Sequence, residues 1–292
     1  MNYWPSMLLT LGLALGPIFA EERPQESSKS EHTAGGKSGW LAGKSWQVGA
    51  KATIPQASQL SGCAWHRDRN TVLIINESNA IYEVNESGKV LRLINLVNPP
   101  TKADFESITI ISRNAHSDTV GIGHEGIGTE VVPHVLVLDL PHGATNQTLD
   151  LSTAKKLDLA GFGADTEAIA WNDGRSLFHV VRVDEAYGTM TREGKVTVAP
   201  RQSAPRFNTN DAAFNSKISP NPIWFGGYRY IEERDPANGK RVALADIGDL
   251  LGHFKWEGLA VSDNGSLFIV GEKATENFIR LDLKIADQGA GK

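Results

Sequence analysis

The fold of this chain is decided by a six-residue phrase, FESITI over Phe105–Ile110, which recurs along the sequence. The other copies are LSGCAW over Leu60–Trp65, TEAIAW over Thr166–Trp171 and WEGLAV over Trp256–Val261. Three of the four copies have a glutamate at the second position, followed by a small residue and then an apolar residue. Recurrence of this kind indicates a fold assembled from structural repeats.

Each copy of the phrase begins a longer unit of apolar runs and turns. About ten residues later comes a second apolar run, such as Thr71–Ile75 or Ser266–Val270, and residues of the Asn, Asp and Gly types precede it. These residue types tolerate positive φ and close tight hairpins. A third run, such as Ala80–Val84, and a fourth, such as that opened by Gly88-Lys89-Val90, complete an antiparallel meander of four strands.

The repeated meander predicts an all-β fold, a single β-propeller of about five (or six) four-stranded antiparallel blades. We expect the propeller domain over residues 46–286. The interval between the third and fourth copies of the phrase is about twice one repeat, and hairpin-like strands such as Pro222–Ile231 fill it. We therefore expect one blade there that lacks the phrase, and we expect Trp46–Ile54 to pair with the last blade and close the ring.

The N-terminal residues 1–20 have the pattern of a secretory signal peptide. The apolar run Met7–Leu15 is too short to span a bilayer, and Ala20 stands at the expected cleavage edge. We therefore expect a secreted or periplasmic protein with no membrane attachment after cleavage. An uncleaved anchor is the alternative, because no Lys or Arg precedes the apolar run. Residues 21–45 are expected to be a disordered spacer, and residues 287–292 a flexible tail.

Composition excludes several classes of function. The 292 residues have a net charge of −5 and no basic stripe with interleaved aromatics, so nucleic acid is not an expected partner. Cys63 is the only cysteine, so no intramolecular disulfide forms, and we expect a buried, inert thiol. No spacing of His and Cys sets a zinc or haem site, and no Gly-x-Ser-x-Gly elbow occurs. We expect a monomer.

The glutamates of the phrase are the candidate metal ligands. If the repeats close into a ring, Glu106, Glu167 and Glu257 meet at one mouth of the central channel. Crowded carboxylates repel unless a proton or cation compensates, and Ca²⁺ takes six to eight oxygen ligands. Asp104 and Asp165, two positions earlier, are expected to be further ligands or loop caps. Alternatively, each glutamate bonds to backbone N–H groups of the neighbouring blade and ties the repeats together, or is simply exposed.

A second set of polar residues follows the second strand of each repeat, at the same end of the predicted propeller. Those suited to act as a catalytic base are Glu125, His124 and Glu272. Those suited to contact a ligand are Glu77, Arg182 and Lys273. Mixed acids, a histidine and cations at one mouth indicate a pocket for a small-molecule or protein ligand. Ordinary loop polarity is the alternative.

The first unit, from Leu60–Trp65 to Gly88-Lys89-Val90, resembles the opening blade of the SdiA-regulated propeller family. The phrase at Trp256–Ala260, with Asp263–Leu267 and Glu272, is similar to the closing blade of esterase-like phytase propellers. This resemblance implies a secreted propeller with an acidic channel mouth, bound calcium, and hydrolysis of a phosphate ester or another ester. The chain departs from the pattern in one copy, where Ser61 replaces glutamate, and no dense set of Lys and Arg is present to hold a polyphosphate.

Two classes of function remain open. The first is a calcium-dependent hydrolase of a small phosphate ester, ester or lactone, in which the metal polarises the bond or its water. The second is a non-catalytic propeller that binds a ligand or protein at the mouth, with any calcium structural.

Overall fold

The computed structural model describes residues 39–55, 57–77, 79–126, 132–143, 146–200 and 208–284. The predicted all-β propeller is confirmed, and it has five blades rather than six. Among these residues the helices are one α-helical turn, α1 (Gly248–Leu251), and one 3-10 turn at Leu151–Thr153, and neither has the length to cross a membrane. The expected signal peptide and C-terminal tail lie outside the described residues.

The strands are, in chain order, β1 (Trp46–Ala52), β2 (Leu60–His66), β3 (Thr71–Asn76), β4 (Ala80–Asn85), β5 (Val90–Val97), β6 (Phe105–Arg113), β7 (Ser117–His124), β8 (His134–Pro141), β9 (Gln147–Asp150), β10 (Lys155–Asp158), β11 (Thr166–Asn172), β12 (Leu177–Arg182), β13 (Tyr187–Thr191), β14 (Val196–Val198), β15 (Thr209–Ala213), β16 (Ile223–Gly226), β17 (Tyr230–Arg234), β18 (Arg241–Asp246), β19 (Trp256–Val261), β20 (Leu267–Gly271) and β21 (Phe278–Leu283). From the channel outward, blade 1 is β2–β5, blade 2 is β6, β7, β8 and β10, blade 3 is β11–β14, and blade 4 is β15–β18. Blade 5 is β19, β20, β21 and β1, and β9 adds a parallel strand to the outer edge of blade 1.

The ring closes through its two ends, as predicted. Strand β1 pairs antiparallel with β21, from Trp46 opposite Leu283 to Ala52 opposite Phe278. Residues 39–45, which fall within the predicted spacer, pack on the propeller just before this strand. The side chain of Leu41 is buried between blades 4 and 5, and its backbone N–H donates to the Glu233 carboxylate at 3.1 Å.

The hydrophobic core consists of five clusters, each between two neighbouring blades. Because both faces of a blade pack against other blades, its middle strands are buried on both sides. All six residues of β3 are buried, whereas the outermost β18 alternates between half-buried and exposed. This explains why the second runs of the sequence are continuously apolar rather than alternating.

The five inner strands are built alike, and each has a β-bulge near its start. The register shifts directly after the first residue in all five, over one residue in four of them and over two residues in β2. The blade predicted to lack the phrase contains a divergent copy, Thr209–Ala213, in which Asn210 takes the place of the glutamate. The blade is therefore present where it was predicted, and its inner strand keeps only this diverged form of the phrase.

The third position of the phrase needs a small residue where inner strands approach closely. A Cβ on Gly62 would lie 2.4 Å from the Cα of Ser107 and 2.7 Å from the carbonyl oxygen of Glu106. Both atoms are backbone, so the strands would have to move apart to admit a side chain.

We therefore expect Gly62→Ala to lower the free energy of unfolding by about 1–3 kcal/mol, the usual cost of overpacking. Urea unfolding of the purified variant measures this loss. The matched control is Gly161→Ala, where an added Cβ meets nothing within 4 Å. Equal stability of the two variants would contradict the close approach of β2 and β6.

Candidate functional site

Acidic side chains meet at the end of the channel where the inner strands begin. A cavity of about 280 Å³ there, called the acidic cavity below, is lined by Glu77, Glu106, Glu125, Glu167, Glu257 and Glu272. Its other lining residues are Val183, Asn208, Thr209, Asn210, Tyr228 and Lys255. The three glutamates of the phrase thus share one cavity with three members of the second polar set.

His124, a predicted catalytic base, is not among the residues that line this cavity. Its ring is buried, Nε2–H donates to the carbonyl of Lys102 at 3.2 Å, and Nδ1 accepts from the N–H of Gly126 at 3.1 Å. Burial lowers its pKa. With both nitrogens bound to backbone, the imidazole has no free atom for proton transfer in the cavity.

Two of the three residues predicted to contact a ligand, Arg182 and Lys273, are also not among the residues that line the acidic cavity. The guanidinium of Arg182 pairs with Asp184 at 3.5 Å and donates to the carbonyl of Phe162 at 3.3 Å. The ammonium of Lys273 lies 3.7 Å from the Glu276 carboxylate and over the ring of Phe254. Of the predicted ligand contacts, the structure brings only Glu77 to the acidic cavity.

Lys255 neutralises one side of the cavity and is the only cation among the described residues that line it. Its Nζ lies 2.6 Å from an oxygen of Glu257 and 2.6 Å from an oxygen of Glu272. Burial opposes its charge, but the bonds to these two carboxylates outweigh burial and raise the pKa of Lys255. The other oxygen of Glu257 accepts from the side-chain amide of Asn210 at 2.7 Å.

The opposite side of the cavity has carboxylates without a cation. Burial, followed by a hydrogen bond with Asp104 and repulsion from its charge, raises the pKa of Glu125 to about 7. Burial, followed by repulsion from neighbouring carboxylates, raises the pKa of Glu167 to about 8. The same causes raise the pKa of Glu106 well above its usual range, with Glu167 as the strongest charged neighbour. In the absence of a cation, this side of the cavity therefore holds protons near neutral pH.

Two of these carboxylates form, with the neighbouring Asp104, a group of oxygens that could hold a cation. Asp104, Glu106 and Glu125 each offer one oxygen, and the three oxygens lie within 4.8 Å of one another. Calcium–oxygen distances of about 2.3–2.6 Å allow ligand oxygens up to about 5 Å apart. The group suited to calcium therefore includes Glu106 and Asp104 of the predicted ligands, whereas Glu257 is bound to Lys255. The metal role of Glu106, Glu167 and Glu257 stays a prediction.

Blades 2 and 3 are tied together by the third and fifth positions of the phrase. The hydroxyl of Ser107 accepts from the N–H of Ile169 at 3.1 Å, and that of Thr109 accepts from the N–H of Trp171 at 2.9 Å. Within the described part of the chain, Glu106, Glu167 and Glu257 accept no backbone N–H. Glu106 and Glu167 thus make no backbone tie between blades, whereas Glu257 links blade 5 to blade 4 through the side chain of Asn210.

Sequence reasoning missed two residues that shape the cavity, Asn210 and Lys255. The signal for Lys255 was its position directly before the phrase at Trp256–Val261. The signal for Asn210 was hidden, because its copy of the phrase has Asp211 at the third position and Ala212 at the fourth, where the other copies have a small residue and a larger apolar residue.

Comparison with known proteins agrees with the fold. A model of the SdiA-regulated family matches residues 36–183. No match was found among curated proteins. The crystal structure of Myxococcus xanthus glutaminyl cyclase is similar, with a TM-score of 0.56 and 12% sequence identity over 84% of this chain and 98% of that chain. At this identity the likeness shows a common fold.

Proposed function

The chain belongs to the SdiA-regulated family, and we propose that its acidic cavity binds calcium and hydrolyses a small ester, phosphate ester or lactone. The observation that carries the proposal is the convergence of oxygens from Asp104, Glu106 and Glu125 within 4.8 Å. Hard carboxylate oxygens suit calcium better than metals that prefer nitrogen or sulfur ligands. The predicted signal peptide would deliver the protein to the periplasm or the exterior.

Glu167 is the residue best suited to move a proton in this cavity. Calcium bound by the three carboxylates would polarise the carbonyl or phosphoryl group of a substrate. The pKa of Glu167, at about 8 without a cation, falls when positive charge is added next to it. In the loaded protein Glu167 therefore takes a proton from the attacking water and returns it to the leaving group, a role that His124 cannot fill.

The charge of the cavity limits the substrate. Lys255 is held between Glu257 and Glu272, so no unpaired cation among the described lining residues is available for an anionic group. A polyphosphate would be repelled by the remaining carboxylates. We therefore propose a neutral or singly charged substrate whose polar group contacts the calcium ion.

Binding without catalysis is the second candidate. The excess of carboxylates over cations favours a positively charged ligand, either a small molecule or a basic side chain of a protein. In this case calcium is structural. The name of the Myxococcus xanthus protein, a glutaminyl cyclase, indicates that this fold is compatible with an enzyme, but its low identity does not transfer an activity.

Calcium titration by isothermal calorimetry tests the proposed site. We expect one equivalent to bind to the native chain, and Glu106→Gln to weaken binding by about tenfold or more, a loss of at least about 1.4 kcal/mol. The matched control is Glu276→Gln, since Glu276 is an exposed glutamate in the same blade-end loops but outside the cavity. No calcium binding by the native chain, or equal affinity in both variants, would contradict the site.

Hydrolysis is tested separately with a panel of carboxyl esters, phosphate monoesters and lactones, with calcium and with chelator. If the enzyme proposal is right, at least one substrate class is cleaved only with calcium, and Glu167→Gln lowers kcat by about a hundredfold or more. Calcium binding without turnover of any substrate class would favour the non-catalytic function.

A further inference from the structure

Three residues that sequence spacing does not connect come together between blades 1 and 2. His66 is the last residue of β2, Asp118 is the second residue of β7, and His142 follows the last residue of β8. They form what we call the His–Asp–His cluster. One residue belongs to the inner strand of blade 1 and two belong to blade 2, so the cluster spans the boundary between blades.

The His–Asp–His cluster lies at the end of the propeller away from the acidic cavity. In the pairing of β6 with β7, Phe105 lies opposite His124, and Arg113 lies opposite Asp118. Strand β6 therefore runs from the acidic cavity to the cluster. At about 3.3 Å per strand residue, the two places are roughly 20 Å apart, so a ligand of one is not a ligand of the other.

The two imidazole rings aim at a single carboxylate oxygen. The Nε2 atom of His66 lies 2.9 Å from Oδ2 of Asp118, and the Nε2 atom of His142 lies 3.1 Å from the same oxygen. One ligand atom from each of the three residues lies within 4.8 Å of the others. His66 and Asp118 are fully buried, and the side chain of His142 is 29% exposed.

Hydrogen bonding within the cluster leaves buried polar atoms without partners. Among the described residues, Oδ1 of Asp118 and Nδ1 of His66 have no hydrogen-bond partner. The buried Nε2 of His142 is close to Asp118 but does not have the geometry of a hydrogen bond to it. Both imidazole rings thus lie against Oδ2 of Asp118, and no donor lies against Oδ1. The hydrogen bond between His66 and Asp118 accounts for one contact, but it leaves the three other atoms unsatisfied, whereas buried polar groups are normally satisfied.

We propose that the His–Asp–His cluster binds a divalent first-row transition metal such as Zn²⁺, through Nε2 of His66, Nε2 of His142 and the carboxylate of Asp118. Zinc binds imidazole nitrogen and carboxylate oxygen at about 2.0–2.2 Å, which places tetrahedral ligand atoms about 3.4 Å apart. The observed separations of 2.9 and 3.1 Å need to open by only a few tenths of an ångström. Water takes the fourth position and enters on the side of the partly exposed His142.

A metal in this position would join blade 1 to blade 2. Binding only to the folded state stabilises it by RT ln(1 + [L]/Kd). The bound metal would therefore stabilise the ring at the end opposite the acidic cavity. Calcium would not replace this metal, since two ligands of the His–Asp–His cluster are nitrogen atoms.

The test is a Co²⁺ titration of the chelator-treated full chain in excess Ca²⁺, which occupies the acidic cavity. We expect the visible d–d bands of one tetrahedral Co²⁺ ion, their displacement by one equivalent of Zn²⁺, and a higher Tm with Zn²⁺. His142→Gln should abolish the bands, and His116→Gln should keep them. His116 is the matched control, because it is an exposed histidine of the same loops whose backbone carbonyl accepts from the N–H of His142.

Two further variants make the outcome decisive. Asp118→Asn keeps the size of the side chain, and it should also lose the bands while remaining folded by circular dichroism. Glu106→Gln should leave the bands unchanged, so failure of the calcium proposal is distinguishable from failure of this one. The proposal is overturned if the native chain shows no stoichiometric tetrahedral Co²⁺ spectrum, or if His142→Gln and His116→Gln give the same spectrum.

Discussion

Without calcium, the free energy of unfolding should fall by about 2–4 kcal/mol as the pH rises from 5 to 9. The pKa of Glu167 is about 8 and that of Glu125 is about 7 in the folded protein, against an ordinary 4.5. Between these values the folded state binds more protons than the unfolded state, so raising the pH favours unfolding. A pKa that is higher by one in the folded state corresponds to about 1.4 kcal/mol, and the partial contact of these side chains with solvent makes the total effect smaller than the full sum.

Urea unfolding at pH 5, 7 and 9, in chelator and in millimolar calcium, measures this dependence. Calcium should restore most of the stability lost at pH 9, since a bound cation removes the need for protons on the carboxylates. Glu167→Gln should reduce the pH dependence in chelator and leave the part due to Glu125, because an amide keeps the size and does not titrate. Glu276→Gln should behave as the native chain. A native chain that is equally stable at pH 5 and pH 9 in chelator would refute the protonated cavity.

Much of the fold could be predicted because the phrase coincides with a structural element of fixed geometry. Each copy covers an inner strand, and the residue at its second position lies at a β-bulge. A shared position in the repeat therefore means a shared position around the channel. This is why Glu106, Glu167 and Glu257 could be assigned to one end of it before any contact was known.

The fourth blade was predicted from its outer strands, but its inner strand could not be recognised by the phrase, because the residue at the third position makes different contacts there. In the other copies this position is Gly, Ser or Ala, whereas blade 4 has Asp211 there. A polar side chain at a buried strand position breaks the apolar pattern of the phrase. The physical reason, contact with two other blades, appears only when the ring is closed.

The sequence predicted that carboxylates line the candidate site, but it predicted only some of the residues that do so. His124 and Glu125 are adjacent in the sequence, and successive side chains of an extended chain point in opposite directions. Glu125 therefore reaches the cavity, and His124 stacks on His134 with ring centroids 4.5 Å apart. The His–Asp–His cluster gave no sequence signal, because its first two ligands are 52 residues apart and belong to different blades.

Asp211 is expected to be the most sensitive side chain of the inner ring. It belongs to blade 4, yet its Oδ2 accepts from the N–H of Leu259 in blade 5 at 2.8 Å and from that of Cys63 in blade 1 at 3.5 Å. Its Oδ1 accepts from the N–H of Ala212 at 2.7 Å. Burial raises its pKa, and these N–H donors oppose the rise. A single carboxylate thus satisfies backbone groups of three blades at the centre of the propeller.

Asp211→Ala should therefore lower the free energy of unfolding by about 3–5 kcal/mol, because each buried N–H left without a partner costs about 1–3 kcal/mol. Asp211→Asn keeps one acceptor oxygen and should lose less. Asp158→Ala, at an exposed position of an outer strand, is the matched control and should change stability by less than about 0.5 kcal/mol.

Cys63 gives an independent readout, since its buried thiol is the only cysteine and lies at this junction. Its rate of labelling by a thiol reagent should rise in Asp211→Ala and stay at the native value in Asp158→Ala. A variant that keeps native stability and native labelling would mean that the three blades do not depend on this carboxylate.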